Sequence, residues 1–247
     1  MFRFRPNSTD ENCYRQIICD NEYKIKNGAL KDKIVIDAGA NIGCFIKLAM
    51  LHGAKFVDAY EIEEGNYQAC LDNCESYKEK VRVNLLGIWR SDEEPKEMSF
   101  AFIPGLSNYK YVGVLHRLSF SHPRFTQKTV MTIGLDTIID DILKTYGENI
   151  YLLKMDVEGS EYDILYSSKK LEFVDNLVCE WHNPEISIND LDVYNLYDNS
   201  KEIPLELVAL LKSQGFHVYR RDYAPILFAM KDPQKSPFFD SVLQISI

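Results

Sequence analysis

The sequence lacks long apolar runs: no stretch approaches the roughly 20 residues that a membrane-spanning helix needs. The first ten residues also lack the apolar segment of a secretory signal peptide. The six cysteines form no CxxC pair or other metal-ligand spacing, and several fall within apolar periodic runs, where free cysteine behaves as a small hydrophobic residue. These absences predict a reduced, cytoplasmic protein with no membrane segment.

Clustered positive charge is scarce as well. The formal net charge is −9, and the largest basic groupings are pairs such as Lys169-Lys170 and Arg220-Arg221. Because phosphate binding requires clustered lysine and arginine, nucleic acid is disfavoured as a partner. No repeat, low-complexity tract or linker divides the chain, so we predict a single domain over residues 1–247, with 1–30 as an N-terminal cover segment. The sequence carries no signal for an oligomeric state.

Short apolar runs alternate with helical patterns, which is typical of parallel βαβ units. The predicted strands of this kind are 33–37, 55–60, 81–86, 150–155 and 176–180. Segments 97–103 and 129–133 instead alternate in the manner of half-buried antiparallel strands. Segments 216–220 and 225–230, separated by a short turn, predict a C-terminal antiparallel hairpin. We therefore predict an α/β fold with a mostly parallel sheet.

A glycine-containing turn follows the first predicted strand. It reads Asp37-Ala-Gly39-Ala-Asn41-Ile-Gly43, a DxGxxxG pattern. Gly39 permits a sharp bend, and Gly43 permits close packing of the next helix on the strand. Backbone N–H groups beside a carboxylate suit a zwitterionic amino-acid group, with its ammonium on Asp37. The GxGxxG pattern of dinucleotide-binding folds is absent.

Glu61 ends the second predicted strand, 24 positions after Asp37 (61 − 37). This separation is about one βα unit, so both acids are expected in one crevice, where Glu61 can accept hydrogen bonds from two ribose hydroxyls. After the third strand, Ile88 and Trp89 offer apolar faces for an adenine, and Asp92 offers an acceptor for its amino group. The alternatives are an ordinary tight turn with a solvated acidic helix start, and Trp89 as plain core.

Taken together, these residues resemble the class I S-adenosylmethionine-dependent methyltransferases, and more narrowly the FkbM family. The most specific element is Lys154-Met-Asp-Val-Glu-Gly-Ser-Glu161, which contains a DVEGxE signature. The other segments that carry the resemblance are 4–11, 20–23, 35–43, 60–61, 64–67 and 135–136. The resemblance implies a Rossmann-like seven-stranded sheet whose last two strands form the hairpin. It also implies S-adenosylmethionine as cofactor and methyl transfer to oxygen of small molecules and sugars.

The cofactor residues expected on this resemblance come from the glycine turn and from the ends of the second and third strands. They are Asp37, Gly39, Asn41, Gly43, Glu61, Ile62, Ile88 and Trp89. Ile62 departs from the family pattern, which would have proline at that position. Segments 104–128 and 186–201 have no pattern that carries over, and we expect them to be substrate loops.

The candidate catalytic residues follow two other strands. Asp156, near the transferable methyl in this architecture, would hold an acceptor hydroxyl or take its proton, with Lys154 and Glu158 as supports. His182 is a candidate general base, because the unperturbed pKa of histidine suits that role near neutrality. The alternatives are that Glu158 and Glu161 only charge the first turn of the next helix and that His182 is structural. A divalent metal on Asp156, Glu180 and His182 is a further alternative that we do not favour.

The function predicted from the sequence is S-adenosylmethionine-dependent O-methylation of a small-molecule hydroxyl acceptor, such as a sugar-containing metabolite. One alternative is methylation of nitrogen or of a macromolecule such as RNA or a protein. It would need a groove near residues 104–128, where the candidates are His116, Arg117, Arg124 and Lys128. Another alternative is a non-catalytic module that binds a nucleoside or a partner chain, which the acids at every expected strand end disfavour.

Overall fold

The computed structural model describes residues 2–102, 126–182, 205–221 and 225–241, which contain ten strands and six α-helices. The strands are β1 Ile34–Ala38, β2 Phe56–Glu61, β3 Val81–Leu85, β4 Gly87–Trp89, β5 Glu97–Phe102, β6 Thr126–Gly134, β7 Ile150–Met155, β8 Val174–Glu180, β9 His217–Arg220 and β10 Ile226–Met230. The helices are α1 Asp10–Tyr14, α2 Cys44–Leu51, α3 Glu64–Cys74, α4 Leu135–Tyr146, α5 Glu161–Ser167 and α6 Leu205–Ser213. Across these segments, no helix has both the length and the apolar character needed to cross a membrane.

The central sheet has seven strands in the order β3-β2-β1-β7-β8-β10-β9. Strands β3, β2, β1, β7 and β8 pair in parallel, whereas β10 is antiparallel to both β8 and β9. The predicted fold class, a mostly parallel seven-stranded sheet closed by an antiparallel hairpin, is confirmed. The strand order reverses between β1 and β7, and this is the point at which open α/β sheets bind ligands beyond the carboxyl ends of their strands.

Two hydrophobic clusters cover the two faces of this sheet. Successive residues of a strand point to opposite faces, so Val35 packs towards α2 and α3 while Ile34 and Ile36 pack towards α4, α5 and α6. Each such fully buried aliphatic side chain contributes about 1.5–3 kcal/mol. Burial on both faces explains why the parallel strands are near-continuous apolar runs in the sequence.

A second sheet of three strands, in the order β4-β6-β5, lies beside the first. Strands β5 and β6, whose alternation predicts half-buried antiparallel strands, pair with each other in antiparallel fashion, with Glu97 opposite Met131. Strand β6 begins at Thr126, earlier than predicted, so residues 126–128 belong to a strand and not to a loop. The remainder of the predicted substrate loops, 104–125 and 186–201, lies outside the described residues.

Candidate active site

A cavity of about 310 Å³ opens where the strand order reverses, beyond the carboxyl ends of β1, β2 and β7. Three parts of the chain line it. The central sheet contributes its strand ends, the second sheet contributes Met98, Ser99, Phe100, Val130 and Thr132, and the N-terminal segment contributes Cys13, Gln16, Ile17, Glu22 and Tyr23. The cavity therefore lies between the two sheets and beneath the first 30 residues.

The glycine turn after β1 has no room for side chains. Gly39 has a φ of +82°, and a Cβ atom there would lie 1.9 Å from the backbone oxygen of Asp156. Gly43, at +89°, would bring a Cβ to 2.9 Å from Cys74 Sγ on α3. Both positions therefore require glycine for their backbone conformation and for space. Gly39 lines the cavity, whereas Gly43 packs against α3 outside the described lining.

A buried ion pair lies beside this turn. Asp37 and Lys154 are opposite each other in the register of β1 and β7, and Lys154 Nζ lies 3.1 Å from Asp37 Oδ1. Lys154 also donates to the backbone oxygen of Gly39 at 2.6 Å. Both side chains are buried and lie outside the described cavity lining. Lys154 thus positions the turn, and contact of Asp37 with a ligand ammonium stays a prediction.

Burial acts in opposite directions on the two members of this pair. It raises the pKa of Asp37 to about 6, although the Lys154 ammonium opposes the change. Burial alone would lower the pKa of Lys154, but the carboxylates of Asp37 and Asp156 outweigh it and hold that pKa above its ordinary value. Lys154 is therefore a permanent cation at neutral pH and is unsuited to act as a base.

Glu61 is buried at the end of β2 and faces the cavity. Its carboxylate accepts backbone N–H bonds from Asn41 at 2.7 Å, Ile62 at 2.9 Å and Glu63 at 2.8 Å. Burial raises the pKa of Glu61 to about 6 in spite of these bonds, which favour the charged form. Because a carboxylate has about four acceptor sites, Glu61 retains capacity for a ligand hydroxyl.

Apolar side chains flank Glu61, as the sequence predicts for an adenine site. Ile62, Ile88 and Trp89 all line the cavity. Trp89 is only 4% exposed and donates its indole N–H to Glu93 Oε2 at 3.2 Å, so it serves both as core and as cavity wall. Asp92 instead pairs with Arg90 at 2.7 Å and lies outside the described lining.

Acidic side chains and one imidazole gather at the other end of the cavity. Asp156, Glu158, Glu180 and His182 all line it. His182 Nε2 lies 3.5 Å from Glu158 Oε2 and 3.9 Å from Asp156 Oδ1. Its Nδ1 lies 2.9 Å from Oε1 of the fully buried Glu161, whose carboxylate is an acceptor and therefore makes Nδ1 the donor. Strand ends β7 and β8, which are neighbours in the sheet, bring these groups together.

This concentration of carboxylates changes the protonation of its members. Burial alone would lower the pKa of His182, but Glu158, Glu161 and Asp156 raise it well above the ordinary value. Burial and the charge of Asp156 raise the pKa of Glu180 to about 8. The carboxylates therefore favour the imidazolium form of His182, and Glu180 has the pKa expected of a general base.

Three buried polar atoms on the cavity wall have no hydrogen-bond partner within the described part of the chain: Asn41 Oδ1, Asn66 Oδ1 and Ser160 Oγ. Each such atom costs about 1–3 kcal/mol when it is left unsatisfied, so the wall fits a polar ligand. Sequence reasoning identified Asn41 but neither of the other two. Asn66 and Ser160 lie in segments 64–67 and 154–161, so the available signal was membership in a family motif.

Comparison with known proteins identifies the family. The family model described as the methyltransferase FkbM domain matches residues 37–218. This chain belongs to the FkbM methyltransferase family. The match begins at Asp37, near the end of β1, and includes the glycine turn, Glu61 and the DVEGSE segment, so the family predicted from those motifs is confirmed. Among curated proteins, none matches the chain.

Several solved structures are similar to this chain. FkbM from Methylobacillus flagellatus KT is 16% identical with a TM-score of 0.46, and the match covers 87% of this chain and 52% of that one. M. capricolum TrmK in complex with S-adenosylhomocysteine is 12% identical with a TM-score of 0.39, covering 82% and 63%. The ribosomal protein L11 methylase of Lactobacillus delbrueckii subsp. bulgaricus is 11% identical with a TM-score of 0.39, covering 82% and 72%. This chain thus matches about half the length of the FkbM structure.

Proposed function

We propose that this FkbM protein transfers a methyl group from S-adenosylmethionine to a hydroxyl of a sugar-containing or other small metabolite. The proposal rests on one observation: the two ends of a single cavity are lined by side chains of different chemistry. One end combines the Glu61 carboxylate with apolar walls, which suits a nucleoside. The other end combines carboxylates with an imidazole, which suits acid–base chemistry on an acceptor.

The cofactor end fits a nucleoside with a polar tail. Glu61 would accept the ribose hydroxyls, and Ile62, Ile88 and Trp89 would enclose the adenine. The unpaired amide oxygens of Asn41 and Asn66 would satisfy polar groups of the ligand. When bound, S-adenosylmethionine supplies a methyl group on a positively charged sulfur, which departs as a neutral thioether when the acceptor oxygen takes the methyl.

The acceptor end would align a hydroxyl and remove its proton. Asp156 would accept the hydrogen bond of the acceptor hydroxyl, and Glu180, with its pKa of about 8, would receive the proton. His182 would be held beside Asp156 and Glu158 by the bond from its Nδ1 to Glu161. The lining that the structure describes contains no lysine or arginine, which supports a hydroxylated small molecule over the phosphates of RNA.

Calorimetry of S-adenosylmethionine binding tests the cofactor half of the proposal. Glu61→Ala should weaken binding about 10- to 100-fold, because it removes charge-assisted hydrogen bonds of about 1.5–3 kcal/mol. Glu64→Ala is the matched control, since Glu64 is an exposed acid in the first turn of α3. No binding by the wild-type protein, or equal loss in both variants, would contradict the assignment.

An acceptor screen tests the transfer half. The screen follows release of S-adenosylhomocysteine from carbon-13-methyl-labelled cofactor, and the chemical shift of the transferred methyl distinguishes oxygen from nitrogen. Asp156→Asn should lower turnover by about 10²- to 10⁴-fold while leaving cofactor affinity largely intact. Methyl transfer to nitrogen, RNA or a peptide would replace the hydroxyl assignment with the corresponding alternative.

A further inference from the structure

We propose that Asp156, Glu158 and His182 bind a divalent first-row transition-metal ion at the acceptor end of the cavity. One ligand atom from each residue, two carboxylate oxygens and one imidazole nitrogen, can be chosen so that all three lie within 4.8 Å of one another. Mixed nitrogen and oxygen ligands of this kind suit ions such as Mn²⁺ or Zn²⁺. All three residues line the cavity, so solvent and an acceptor can reach the same point.

The distances fit an ion better than they fit direct hydrogen bonds. His182 Nε2 is 3.5 Å from Glu158 Oε2 and 3.9 Å from Asp156 Oδ1. A protonated Nε2 would bond a carboxylate at about 2.7–2.9 Å, shorter than either separation. Metal–ligand bonds of about 2.0–2.2 Å place neighbouring ligand atoms about 3–3.5 Å apart. The three ligand atoms lie within 4.8 Å of one another, so binding requires them to approach by at most about 1–2 Å.

The imidazole is already oriented for coordination. Its Nδ1 donates to Glu161 Oε1 at 2.9 Å, which directs Nε2 towards Asp156 and Glu158. The Glu161 carboxylate is fully buried and is itself fixed by backbone N–H bonds from Val157 and Gly159. A buried carboxylate behind a histidine is the usual outer-shell support of a metal ligand.

Two observations on the loop after β7 point independently to a ligand. Glu158 is not a glycine, yet its φ is +54°, a conformation that costs free energy and often marks a functional site. Ser160 Oγ, on a residue only 2% exposed, lines the same cavity and has no hydrogen-bond partner among the described residues. A metal-bound water or acceptor hydroxyl would give this oxygen a partner.

The composition of the cavity lining also favours a cation over an anion. Glu22 and Glu180 add two more carboxyl groups to the lining, and no lysine or arginine is found among its described members. Resting on the proposed function, the ion would polarise an acceptor hydroxyl and ease the loss of its proton to Glu180. Binding of the ion itself requires neither cofactor nor acceptor.

The test uses the full chain and Mn²⁺ alone, with calorimetry for stoichiometry and electron paramagnetic resonance for coordination. The wild-type protein should bind one equivalent. Glu158→Gln and Asp156→Asn should each weaken binding at least tenfold, and Glu161→Gln should weaken it about 10- to 100-fold through the histidine. Glu172→Gln is the control, because Glu172 is an exposed acid at the opposite end of β8. Thermal melts of each variant show that it is folded.

Absence of Mn²⁺ and Zn²⁺ binding by the folded wild-type protein would overturn the inference. So would equal binding by the Glu158→Gln and Glu172→Gln variants, since the ion would then sit elsewhere on the surface. The inference and the proposed function fail separately. Methyl transfer that persists in chelator without metal binding refutes only the metal, whereas metal binding without S-adenosylmethionine binding refutes only the proposed function.

Discussion

Replacement of Lys154 by methionine should destabilise the protein by about 3–5 kcal/mol at pH 7.5, because it leaves the Asp37 carboxylate buried without its cation. The residue Lys154 is only 2% exposed and Asp37 is fully buried. At their separation of 3.1 Å, the attraction is about 5 kcal/mol for an effective dielectric constant of about 20. The variant also removes the 2.6 Å bond to the Gly39 oxygen, so cofactor affinity should fall as well.

The pH dependence of that loss is the sharper measurement. Burial raises the pKa of Asp37 to about 6 in the folded wild-type protein, against about 3.9 in the unfolded chain. A carboxyl group whose pKa is raised by folding contributes most to stability at low pH, and this contribution is lost as the pH rises through its pKa in the folded protein. Without Lys154 the pKa of Asp37 in the folded protein rises further. Lowering the pH therefore raises the free energy of unfolding more in the variant than in the wild type. Its deficit should shrink by about 2 kcal/mol between pH 7.5 and pH 5.5.

Urea unfolding at the two pH values measures both quantities. The Asp37→Leu/Lys154→Met double variant should recover most of the loss, since a buried ion pair can be replaced by apolar side chains at little cost. Lys55→Met is the control, because Lys55 forms an exposed ion pair with Glu148 that is worth less than about 1 kcal/mol. A Lys154→Met deficit below about 1 kcal/mol, or one that does not change with pH, would refute the reasoning.

Two further predictions concern the turn and the imidazole. Gly39→Ala should abolish cofactor binding and lower the melting temperature severely, since its Cβ would lie 1.9 Å from the Asp156 oxygen. Gly147→Ala is the control, because Gly147 also has a left-handed backbone conformation but has open space around it, and the variant should lose only about 1 kcal/mol of stability. Similar melting temperatures for the two variants would contradict the predicted clash at Gly39. Glu161→Gln should lower the pKa of His182, measured by NMR titration of the imidazole, because one of the carboxylates that raise it is removed. An unchanged titration would show that Glu161 does not act on the ring.

The main elements of the fold could be predicted because they follow from local pattern. Both faces of β1 and β7 are covered, so each is apolar in the sequence apart from Asp37 in β1 and Lys154 in β7, and each run is followed by a glycine or an acid. The pairing of β4 with β6 could not be predicted in this way. Gly87 and Thr132 are 45 positions apart (132 − 87), and a three-residue strand has too short a pattern to reveal its partner.

The site was predicted where a residue's role depends on its position at a strand end. Glu61, Ile88 and Trp89 line the cavity because β2 and β4 end beside it. Roles that depend on a distant partner were not visible. The Asp37 carboxylate is predicted from the sequence to face a ligand, but its neighbour in the structure is Lys154, 117 positions away (154 − 37) on the adjacent strand. Such a partner is defined only by the register of β1 on β7.

The DVEGSE segment shows that the spacing of acids in a sequence does not reveal their separate roles. Asp156, Glu158 and Glu161 lie within six residues, and the alternative interpretation from the sequence is that Glu158 and Glu161 only charge the first turn of α5. In the structure the three side chains lie in different surroundings. Asp156 and Glu158 line the cavity, whereas Glu161 is fully buried and bonds His182 from β8. Glu158 and Gly159 have left-handed backbone conformations, which turn the chain between Asp156 and Glu161 and so allow the side chains to reach different surroundings. The Glu161 carboxylate accepts from the backbone N–H groups of Val157 and Gly159, which precede α5, and contacts the ring of His182, so its position is better explained by His182 than by α5.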